Sequence, residues 1–176
     1  MKKKEVHLRQ SNIGLVLDSY DDIFSDFDPR SNNERALSMD FLLAAKSAAT
    51  DKDELIELRL FIPFHKRSMK EELLIRKRLK DHFKHHLELE TSFRTKERIR
   101  GFIWFFAGAL LIFLSTVLYS MEGSFYTFLF IITEPSGWFT IWTGLERMFL
   151  HLSNRDNEFA FYEKMSQSII YFESIK

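Results

Sequence analysis

The chain has 176 residues, its 25 Lys and Arg balance 25 Asp and Glu for a formal net charge of zero, and it holds no cysteine. That composition excludes a disulfide framework, a thiolate metal site and a cysteine nucleophile; a nucleic-acid partner is not expected either. The charges are spread unevenly, however: residues 1–100 carry 21 of the 25 basic and 18 of the 25 acidic side chains, and residues 101–121 carry none.

The N-terminus begins Met1-Lys2-Lys3-Lys4, and a mixed, charged stretch follows where a secretory signal needs an apolar core, so no cleavable signal is expected. Residues 13–17 read as a short strand, 18–35 as an acidic, turn-rich segment, and 38–49 as a helix with Ser38 as its cap. Residues 55–63 set Ile56, Leu58, Leu60 and Ile62 against Glu57, Arg59 and Phe61. This period of two predicts a strand with one buried face.

Ser68 and Glu71 then have the spacing of a capping box, and no Gly or Pro interrupts residues 68–100, which predicts one long helix leading into the apolar stretch. Met69, Leu73, Leu79, Phe83, Leu87 and Phe93 give that helix a narrow apolar stripe, suited to a partner helix.

Residues 101–120 match the roughly 20 apolar residues that cross a hydrocarbon layer about 30 Å thick. Trp104 and Tyr119 lie near the two ends of the stretch, and Gly101, Ala107, Gly108 and Ser115 leave room for a second helix to approach. A second span runs over about 124–146, with Glu134 and Pro135 at its middle. Either it crosses as one kinked helix, or 124–132 is a short re-entrant piece and the crossing starts near Pro135.

Arg94, Lys96, Arg98 and Arg100 precede the first span, Arg147 and Arg155 follow the second, and the turn 120–123 has no basic residue. Both termini are therefore expected on the cytoplasmic side of the inner cell membrane. Residues 157–167 read as a helix and 168–172 as a strand that pairs with 55–62. The expected fold class is an α+β cytoplasmic domain (1–67, with 153–176 returning to its sheet) plus a two-helix transmembrane hairpin (101–152), joined by the helix 68–100.

An ionisable group within hydrocarbon is costly and points to function, so Glu134 is a candidate ion-path residue, with copies of it ringing a pore in an oligomer. Glu146, Arg147 and Arg100 are candidates for an ion pair that ties the two spans together. His82, His85 and His86, spaced i, i+3, i+4, are candidate metal ligands, with a solvated basic face as the simpler account. Asp18, Asp21, Asp22, Asp26 and Asp28 lack the glycine and terminal glutamate of an EF-hand loop and read as turn formers. No catalytic constellation stands out, so the chain is read as non-enzymatic, without a cofactor. Its partners are the lipid bilayer and either a second copy or another protein, met through the helix 68–100.

Two resemblances accompany this reading. The run 17–30 (Leu-Asp-Ser-Tyr-Asp-Asp-Ile-Phe-Ser-Asp-Phe-Asp-Pro-Arg), the strand ending at Pro63, and Gly137-Trp138 with Trp142, Leu145 and Glu146 together resemble an uncharacterised family of small prokaryotic two-span membrane proteins. That resemblance implies the two-span topology and no activity; Thr143-Gly144 stands where an Arg-Pro pair is expected. Glu134-Pro135 followed by aromatics is also similar to the pore signature of the mitochondrial calcium uniporter, from which Ile131, Ile132 and Thr133 depart.

Overall fold

The computed structural model describes residues 12–31, 34–50, 56–153 and 155–175. Its elements in chain order are β1 (Asn12–Val16), a 3₁₀ turn (Tyr20–Ile23), α1 (Met39–Thr50), β2 (Glu57–Pro63), a 3₁₀ turn (Phe64–Lys66), α2 (Met69–Tyr119), α3 (Ser124–Ser153), α4 (Asp156–Gln167) and β3 (Ile169–Ile175). They form two compact units, one made of the residues up to Glu88 with those from Asn157 onward, the other of Leu89–Asp156.

In the first unit the alternation in β2 does what its period dictates. Ile56, Leu58, Leu60 and Ile62 are buried, while Glu57, Arg59 and Phe61 are only partly covered. The C-terminal strand does pair with β2, and the sheet is ordered β1-β2-β3 with both pairings parallel. Asn12, Glu57 and Ile169 are in register across it. Parallel neighbours need long crossovers. Here β1 reaches β2 by way of α1, and β2 reaches β3 only after α2, α3 and α4.

Three helices cover the buried face of the sheet at helical spacing: Phe41, Ala45 and Ala49 from α1, Ile75, Leu79 and Phe83 from α2, and Phe161 and Met165 from α4. Each large side chain so buried contributes about 1.5–3 kcal/mol. Leu79 and Phe83, expected to meet a partner helix, are therefore taken up by the chain's own sheet, and Met69 and Leu73 remain exposed.

The start of α2 also differs from expectation. Ser68 N–H donates to the Tyr20 hydroxyl at 2.8 Å, and that hydroxyl donates to Glu72 at 3.2 Å. Arg67 closes on the same carboxylate at 2.7 Å. Glu72, not Glu71, is thus the acid that organises this helix start, and Tyr20, 48 residues upstream, supplies the cap. Burial, with Glu72 alongside, raises the Tyr20 phenol above its ordinary pKa.

The acidic segment is a set of satisfied turns. Asp22 accepts from Asp18 N–H at 2.6 Å and Ser19 N–H at 3.1 Å, as a capping carboxylate does. Asp28 takes the Arg30 guanidinium at 2.7 Å and Ala36 N–H at 2.7 Å, and Arg35 bridges Asp21 and Asp26. Arg30, helped by Ala36 N–H, holds the Asp28 carboxyl far below its ordinary range.

In the second unit, the C-terminal part of α2 meets α3 at glycines. A Cβ added to Gly108 would lie 2.8 Å from Gly137 O, and one added to Gly144 would lie 2.7 Å from both Gly101 O and Phe105 N. Only residues without a side chain let two helix backbones come this close. Between the helices Gly123 adopts φ 128, the left-handed region that glycine enters without strain.

α3 continues unbroken through Pro135. The proline deprives Ile131 O of its usual N–H donor. On either side, Thr133 Oγ1 donates to Leu129 O at 2.6 Å and Ser136 Oγ to Ile132 O at 2.7 Å, which keeps the hydroxyls satisfied within the helix itself.

By length and composition α2 is apolar enough to cross a membrane, the one such helix among the described residues. Only 17% of its most apolar 18-residue window is buried. The core helix of a soluble protein would instead bury most of it.

Candidate functional site

A cluster of charges in the second unit borders this apolar run. Glu97, on α2 and 4% exposed, accepts from Arg100 at 2.8 Å and from Arg147 of α3 at 3.2 Å. Arg100 and Arg147 are therefore brought together as expected, but on Glu97. Glu146 is exposed and makes no ion pair among the described residues. Burial pushes the Glu97 carboxyl up, yet the two guanidiniums outweigh it and hold the group below its ordinary value. Buried Glu90 pairs with Arg155, which also lies 4.6 Å over the Phe93 ring, and Arg94 meets Asp156 at 2.6 Å.

Glu97 and Glu90 escaped the sequence reading because a charged residue within a highly charged helix carries no mark of burial. The available signal was the seven-residue recurrence Phe83, Glu90, Glu97, which places all three on one helical face.

Glu134 is exposed on α3. Gly137 packs between Gly108 and Ile112, so Glu134, three residues before it, stands level with residues 111–115 of the apolar run.

The histidines are adjacent in the first unit: the His82 and His86 ring centroids are 4.3 Å apart, and His86 stacks on Tyr162 at 4.9 Å with 15° between planes. His82 is half-buried, and its Nε2 has no hydrogen-bond partner. Burial, with His86, Arg78 and His85 nearby, lowers its imidazole to about 4, so it is neutral at physiological pH. Among the described residues, no three His, Asp or Glu side chains converge on a position for a metal ion.

No protein-family model, curated protein or solved structure matched the chain.

Proposed function

We propose that this chain is a non-enzymatic membrane-anchored module in which the α/β unit is held at the cytoplasmic surface by a transmembrane hairpin of α2 and α3. One observation carries this reading: residues 101–119 of α2 bear no charge and turn most of their apolar surface outward, including Phe102, Ile103, Phe106, Leu110 and Phe113. Lipid is the solvent in which that surface is stable. α3 lacks a stretch as apolar as residues 101–119, and its place in the hairpin is supported by the glycine contacts with α2 and by its self-satisfied hydroxyls. The basic flanks and the uncharged-to-acidic turn 120–123 support cytoplasmic termini. Assembly with a second copy or another protein uses the outer face of α2, where Met69 and Leu73 are exposed.

Because the native chain has no cysteine, single-cysteine labelling tests the topology without background. Ser120→Cys should react with an impermeant maleimide on intact cells and Ser166→Cys only after permeabilisation; the reverse pattern, or extraction of the protein by alkaline carbonate, overturns the reading. Crosslinking in native membranes should return a dimer or a captured protein, and a purely monomeric product removes the assembly role.

A second reading, an oligomeric cation path lined by Glu134, is supported by one observation, that this carboxylate stands beside the apolar run of α2. Reconstituted protein should then conduct, with Glu134→Ala changing its selectivity. Absence of current, or currents indifferent to the substitution, removes it.

A further inference from the structure

Arg94, Arg98 and Phe102 follow one another at i, i+4 and i+8 and form a single stripe on α2. Phe149, Ser153 and Asp156 line the other side of an open groove of about 500 Å³. The chemistry changes along its length. At one end Phe102 and Phe149 are exposed; one helical turn away stands Arg98.

The cations around this groove are not equivalent. Arg94, Arg100, Arg147 and Arg155 each hold a carboxylate, whereas Arg98 meets none among the described residues. The one acid in the groove, Asp156, is already taken by Arg94 at 2.6 Å. The groove therefore offers an uncommitted guanidinium for an anion, and no free carboxylate for a choline or ethanolamine cation. Arg98 precedes Gly101 by three residues, about 4.5 Å along the helix, which falls within a headgroup layer about 5–8 Å deep.

We infer that this groove binds one anionic phospholipid, with its phosphodiester on Arg98 and Ser153 and its first methylenes between Phe102 and Phe149. The inference rests on the membrane reading above, since a lipid reaches the groove only if residues 101–119 are embedded. A guanidinium beside two exposed aromatic rings matches the polar-to-apolar junction of a phospholipid, and a water-soluble phosphate would leave those rings uncovered.

The test reconstitutes the full chain into nanodiscs of phosphatidylcholine doped with phosphatidylglycerol and measures retained lipid by native mass spectrometry. Wild type should carry phosphatidylglycerol enriched over the bulk, and Arg98→Gln should cut the enrichment about fivefold, the effect of one interfacial charge. Lys96→Gln removes an equal charge from outside the groove and should leave enrichment unchanged. Phe149→Ser keeps every charge and should lower retention with the circular dichroism preserved. Equal losses for the two charge variants, or no enrichment at all, overturn the site. Displacement of the lipid by inorganic phosphate overturns the lipid as occupant. If the protein fails to enter the bilayer, the membrane reading itself falls; if it enters and shows no preference, only this inference does.

Discussion

Glu97 shows what a single side chain contributes here. Its carboxylate joins Arg100 and Arg147, so Glu97→Gln should leave two guanidiniums without their shared anion and cost on the order of 1 kcal/mol. The sign of the pH dependence follows from its lowered pKa. Its stabilisation is complete above the ordinary carboxylate value and is lost as pH falls through the lower folded value. Thermal unfolding in detergent should show wild type losing stability at the acid end and the Gln variant following a flatter curve there. A parallel pair of curves would show that Glu97 contributes nothing. The glycines allow a ranking: at Gly144 an added Cβ meets backbone on two sides, at Gly137 the nearest atom is the Ile112 side chain, which can move. Gly144→Ala should therefore cost about 1–3 kcal/mol, and Gly137→Ala less, by the same thermal measurement.

At the level of the elements, α2 serves two environments along one continuous helix. Ile75, Leu79 and Phe83 belong to the buried core of the first unit, and a few turns later the side chains are apolar and exposed. Phe83→Ala should lower the stability of the α/β unit by about 3–5 kcal/mol, read as earlier proteolysis of the residues up to Glu88 with the fragment 89–156 still protected. Simultaneous cleavage of both units would show that they do not unfold separately. α3 poses the opposite question, because Pro135 removes a hydrogen bond from a helix that nonetheless continues. Pro135→Ala returns a donor to Ile131 O and should raise the thermal midpoint. A lower midpoint would mean that the helix depends on the proline.

For the molecule as a whole, the sheet and the helix pair follow different rules. The α/β unit buries a core of its own, whereas the pair formed by α2 and α3 has backbone contact at glycines and an exposed apolar exterior. The hydroxyls of Thr116, Thr127, Thr133, Ser136, Thr140 and Thr143 donate four residues back within their own helices, the arrangement that the proposed bilayer setting requires of a polar group. Wild-type protein should stay in the membrane pellet through alkaline carbonate and leave it only with detergent. Recovery in the supernatant would remove the anchor.

The amino-acid sequence by itself determined the alternation of β2, the length of the apolar run and the basic residues bordering it, because each is a short-range pattern with a fixed period or length. Only the tertiary structure decided that the sheet is parallel throughout, that Tyr20 caps α2, that Leu79 and Phe83 face the chain's own sheet, and that Glu97 rather than Glu146 receives Arg100 and Arg147. Those outcomes join residues far apart in the chain, 52 positions from Tyr20 to Glu72 and more than twice that from Glu57 to Ile169. They depend on how one backbone slides against another, and in the helix pair that offset is set by where two glycines on each helix permit contact, a property that no local window of sequence contains.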